Sequence, residues 1–134
     1  MKYKDTEKRE CIRFEIPGAT ISYKFKEHIE EFSPVTDISR GGIKFQGKKS
    51  LDINAEVTLK ISIPGERVPL ILHGKVQWIS YIEKKDQYEV GVQFNPYGEK
   101  EGQNYPGNLV KIIALEQKFA AKNKAKTEKY EIDG

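Results

Sequence analysis

This 134-residue chain holds one cysteine, one tryptophan, two histidines and no long apolar run. Each shortage removes a class of function. The lone Cys11 cannot build an intrachain disulfide framework or a multi-cysteine zinc site, fits a reducing compartment, and reads as a small buried hydrophobe. His28 and His73 stand apart without the spacing of a metal-binding motif, so His28 reads as solvated and neither metal nor other cofactor is expected. Ser39 lacks the strand-to-helix elbow of a hydrolase nucleophile, and Glu30, Glu31, Glu99 and Glu101 form no local acid-base pattern. The expectation is a protein that is not an enzyme. No stretch approaches the roughly 18 consecutive apolar residues of a membrane span, and Met1 to Arg9 lacks the apolar core of a signal peptide. A cytoplasmic protein without membrane insertion follows as the expectation. Charge of one sign is also scarce: 23 Lys+Arg nearly balance 20 Asp+Glu, leaving +3, too little for the field that gathers long nucleic acids.

What the chain does have is alternation. Residues 1–13 are charge-dense and read as a flexible arm, after which Phe14 and Ile16 lead through a Pro17-Gly18 break into Ile21, Tyr23 and Phe25. Glu27 to Glu31 reads as a polar connection, and Phe32 to Thr36 as renewed strand. Ile43 and Phe45, then Val57 to Ile63, Val68 to Trp78, and Tyr88 to Phe94 give further runs of period two. Pro64-Gly65 has the composition of a type II turn. About six strands with one helix candidate suggest an antiparallel barrel, whose closure removes exposed edges. Asn95 to Asn108 reads as a linker, and a helix capped by Asn108 presents Leu109, Ile112, Ile113 and Phe119 near a 3.6 period. The domain is predicted to span 14–120, with 121–134 as a charged, disordered tail. Tyr23, Phe25, Phe45 and Trp78 share registers with aliphatic residues and so are assigned to the core.

Between two of these strands lies Asp37-Ile38-Ser39-Arg40-Gly41-Gly42. Asp37 and Ser39 can bond nearby main-chain amides, and the paired glycines permit positive φ and leave N–H groups unshielded, as an anion-holding nest requires. Taken alone, the turn has two readings, a hairpin with local hydrogen bonds or a ligand-holding loop. A second feature weighs on the choice. Arg9 and Arg13 form R-x-x-x-R, and Asp37 follows Arg13 by 24 positions with one strand-forming run between. Such an excursion can return the chain beside its start.

In order and separation, Arg9-Glu10-Cys11-Ile12-Arg13, Asp37-x-Ser39-x-x-Gly42 and the strand Gly91-Val92-Gln93-Phe94 together resemble the PilZ domain, the bacterial receptor module for cyclic di-GMP. The resemblance implies an all-β fold, a six-stranded antiparallel PilZ-type β-barrel with a C-terminal α-helix. It also implies that Arg9 and Arg13 bind guanine edges and phosphates, while Asp37, Ser39 and Gly42 complete the pocket. The chemistry of those residues agrees. Guanidinium is a planar fork that pairs bidentately with guanine or phosphate and can stack on a base, and a carboxylate accepts from the guanine N1 and N2 donors. Lys8, Arg40 and Gly41 flank these positions as possible additional contacts, with a solvated surface role as the alternative for Lys8 and Arg40. The implied function is a stand-alone adaptor in motility or surface-polysaccharide control, whose arm orders on cyclic di-GMP and which then docks on a downstream effector protein. Two alternatives are a PilZ-fold adaptor that binds no nucleotide and a small single-stranded nucleic-acid-binding barrel.

Overall fold

Alternating side chains produce six strands in the computed structural model, which describes residues 12–133: β1 (Thr20–Phe25), β2 (His28–Ile38), β3 (Gly42–Gly47), β4 (Glu56–Ser62), β5 (Leu70–Ile82) and β6 (Gln87–Phe94). Helix α1 (Pro106–Asp133) follows. All neighbouring strands run antiparallel and close in the order β1-β2-β3-β6-β5-β4. Closure leaves none of the six strands with an open edge. The inward members of each alternation, among them Ile21, Phe45, Leu59, Leu72 and Val90, are fully buried and fill the barrel. Among the described residues no helix is long and apolar enough to cross a membrane.

Turn chemistry follows the sequence in most places. The Ile63-Pro64-Gly65-Glu66 turn closes with Glu66 N–H donating to Ile63 O at 3.0 Å, and Gly65 takes φ of 90° as a type II turn demands. The β1–β2 connection is shorter than expected. Only Lys26 and Glu27 turn the chain, and β2 starts at His28 rather than beyond Glu31. The reason is Glu30, a charged residue in an inward position. It is buried and bound by the Tyr23 hydroxyl at 3.1 Å and the Lys48 N–H at 2.9 Å, so a true alternation is written in polar letters. His28 is not solvated as expected either: its ring is half-buried, with Nε2 3.6 Å from Glu30 Oε1.

Three irregularities break the pairing, and each re-aims a side chain. Two β2 residues, 31 and 32, lie opposite Ser22 between the pairs Ile21–Ser33 and Tyr23–Glu30. Val35–Phe45 and Asp37–Lys44 bracket a second at Thr36. Val76–Val92 and Trp78–Gly91 bracket a third at Gln77.

The expected linker between β6 and α1 is ordered around a buried amide. Asn104 accepts from His73 N–H at 2.8 Å and donates to the His73 and Asn95 carbonyls at 2.9 Å each. The helix begins at Pro106, where the missing N–H costs nothing. Asn108 is therefore inside the helix instead of capping it, and donates to Ile71 O at 2.9 Å. Ile112 is fully buried, with Leu115 and Phe119 packed against the core. Beyond Ala120 the backbone stays helical to Asp133, through the stretch expected as a disordered tail. Ala, Lys and Glu dominate that stretch, and all three favour helix.

Candidate functional site

The site is assembled by one short piece of main-chain pairing. Phe14 and Ile38 exchange both N–H···O hydrogen bonds at 2.9 Å, an isolated bridge that fastens the arm's end beside the end of β2. Arg13 thereby stands next to Asp37, and its Nη1 lies 2.8 Å from Asp37 Oδ1. Lys44, opposite Asp37 on β3, holds the other oxygen at 3.3 Å. The Arg13 side chain is 48% exposed against 15% for Asp37. A pair this wet is worth about 0–1 kcal/mol, whereas a guanidinium bound bidentately to a base gains about 1–3 kcal/mol. The bridge can yield to a ligand.

The turn after β2 is held by Ser39. Its N–H donates to Gly42 O at 2.8 Å, and its buried hydroxyl accepts from Gly41 N–H at 3.2 Å. Neither Gly41 nor Gly42 has positive φ, contrary to the expectation from the paired glycines. Their value is room. A Cβ on Gly42 would stand 2.5 Å from Val92 O, while one on Gly41 would meet nothing within 4 Å.

Arg13, Ser39, Gly41 and Gly42 line one side of a cavity of about 460 Å³ on the barrel's outer face. The opposite side comes from β5 and β6, chiefly Trp78, Gly91 and Gln93. Trp78 is 40% exposed, not in the core. The bulge at Gln77 turns it outward, and the indole lies against Gly91, where any Cβ would collide with the ring. Tyr23 and Phe45 do occupy the core, with ring centroids 5.2 Å apart, and Phe25 packs partly against it. Asp37 does not line the cavity and reaches it through Arg13.

Arg40 faces away from the expected role. Its Nε and Nη2 grip the two oxygens of buried Glu116 on α1 at 3.1 and 3.0 Å, and the Tyr97 hydroxyl donates to its carbonyl at 2.7 Å. It ties the turn to the helix with its side chain still about half exposed, and it is not a wall of the cavity. Lys8, Arg9 and Cys11 lie outside the described residues. Among the described residues no three His, Cys, Asp or Glu gather as metal ligands.

The described chain is thus a closed antiparallel barrel on whose outer face the Phe14–Ile38 bridge and the turn after β2 meet beside a cavity. The chain belongs to the PilZ domain family, whose model matches residues 7–107. Solved structures share the fold. The PilZ domain of YcgR from Escherichia coli, with c-di-GMP, is 12% identical with a TM-score of 0.61, over 90% of this chain and 98% of that one. The K. pneumonia MrkH–c-di-GMP complex is 19% identical with a TM-score of 0.61, over 87% of this chain and 55% of its own. The Bacillus subtilis inhibitor of motility, MotI/DgrA, is 16% identical with a TM-score of 0.59, over 80% and 48% respectively. The chain thus spans about half the length of the latter two. No curated protein matches it.

Proposed function

We propose that this chain is a cyclic di-GMP receptor that acts as an adaptor, without catalysis. The observation that carries the reading is the Arg13–Asp37 bridge at 2.8 Å beside the cavity that Ser39 and Gly42 line. Residues 24 positions apart in the chain meet there, which supports the reading. In this reading Arg9 and Arg13 take the guanine edges and phosphates. Asp37, released from Arg13, accepts from guanine N1 and N2, and Ser39 with Gly42 completes the turn side. Trp78 adds a flat aromatic face on which a base can stack. Gly41 leaves space above the turn, and Lys8 adds long-range attraction for the phosphates. Arg40 has no part in binding.

Binding then orders the arm, and the altered surface is read by an effector protein in motility or surface-polysaccharide control. Two solved structures with this fold hold c-di-GMP, and a third is an inhibitor of motility, which supports that assignment. The nucleic-acid alternative loses most of its platform, because Tyr23 and Phe45 are buried and Phe25 packs partly against the core, leaving Trp78. A cytoplasmic location completes the proposal. Isothermal calorimetry with cyclic di-GMP tests it: a saturable heat that unlabelled GMP does not reproduce is expected, and no heat at micromolar protein overturns it.

A further inference from the structure

Phe32 is held where a phenylalanine is least expected. Its φ of 58° lies in the left-handed region, and the residue is 70% exposed. The bulge opposite Ser22 gives β2 one extra residue and turns the ring to solvent. Ile29, 60% exposed, and Pro34 continue the same outer face. Backbone strain of this kind persists only where surrounding structure imposes it, and it gathers at sites of function. Burial gains nothing from a ring left in water.

Charge surrounds the apolar stripe on one side. Lys24 stands directly across from Ile29, and Ser22, opposite the bulge, pairs on its other side with Lys60. Both lysines are exposed, and neither takes part in an ion pair among the described residues. Glu31 is the acidic neighbour on this face, set against the two lysines. The balance is positive around an apolar centre.

We infer that the outer face of β1 and β2, centred on Phe32, docks an acidic segment of a partner protein that sets an apolar side chain against the ring. Apolar contact with Phe32 and Ile29 supplies the anchor, and Lys24 and Lys60 select for carboxylates at its flank. This surface is distinct from the cavity beside Trp78 and does not depend on nucleotide binding.

The test places p-benzoylphenylalanine at position 32 of this chain in its source cells and sequences what the flash links to it. An Asp/Glu-rich segment with an apolar residue at the linked position is expected. A synthetic peptide of that segment should bind the purified chain and lose at least tenfold in affinity with Phe32→Gly and with Lys24→Glu combined with Lys60→Glu. Phe32→Gly should also raise Tm, since glycine accepts the left-handed backbone, so lost binding cannot be lost folding. Links only to a second copy of the chain, to a segment without acidic residues, or to no protein overturn the inference. So do unchanged peptide affinities in those variants, or Phe32-dependent sedimentation with phosphatidylserine vesicles. Cyclic di-GMP calorimetry on the same variants reports separately on the receptor reading.

Discussion

Phe14 and Ile38 trade both main-chain hydrogen bonds at 2.9 Å, and that single bridge sets the distance between the arm and the turn. Because Arg13 and Asp37 are the neighbours of the two bridged residues, their side chains meet without further design.

Arg13→Ala should weaken cyclic di-GMP binding by about 1–3 kcal/mol, roughly 5- to 150-fold in Kd, measured by calorimetry. Arg13→Lys should recover little of it, since an ammonium cannot pair bidentately. Stability should change far less, by at most about 1 kcal/mol, because the bridge to Asp37 is half in water.

Trp78 is the sole tryptophan, so emission excited at the red edge, where the tyrosines do not absorb, reports on the cavity. Cyclic di-GMP should quench or shift that emission, and Trp78→Ala should lower affinity by about 1–3 kcal/mol if a base stacks there. Emission that ignores saturating ligand would remove Trp78 from the site.

A methyl group at Gly42 would press on Val92 O at 2.5 Å, a main-chain atom held in the β3–β6 ladder. Gly42→Ala should therefore destabilise the fold by about 1–3 kcal/mol in urea unfolding. Gly41→Ala, with open space around it, should be tolerated and serves as the control.

Arg40→Ala strands the buried Glu116 carboxylate without its bidentate partner. With Arg40 half exposed, the cost is discounted to about 1–2 kcal/mol, and Glu116→Gln should cost less. Affinity for cyclic di-GMP should stay within twofold, because Arg40 faces the helix; a larger loss would restore it to the ligand.

The Tyr23 hydroxyl is pushed well above its ordinary value near 10, by burial first and then by the charge and hydrogen bond of Glu30. The folded state thus holds this proton more tightly than the unfolded chain. Its contribution is complete below about pH 10 and fades as pH climbs toward the raised folded value. Thermal melts of Tyr23→Phe should show a shallower alkaline decline than the parent chain.

Much of this molecule is legible before any coordinates. Period-two alternation located five of the six strands well, and Pro64-Gly65 declared its turn. Arg13 and Asp37 meet, as their spacing suggested. What alternation misses is any residue that shifts phase. Val76 and Trp78 share a face on paper, but the extra residue Gln77 rotates the indole outward, which hid one wall of the cavity. Glu30 concealed the start of β2 because a buried carboxylate looks like a loop residue. The Arg40–Glu116 grip spans 76 positions and has no local signal at all.

Asn104 sits in the interior with three amide contacts that only one arrangement of strand, connector and helix can satisfy. A leucine there would match its bulk and orphan the His73 and Asn95 main chain. The direction in which α1 leaves the barrel is consequently set by a polar key at its root as well as by the grease of Ile112 further along, and an apolar replacement would loosen the connector while the strands stayed closed.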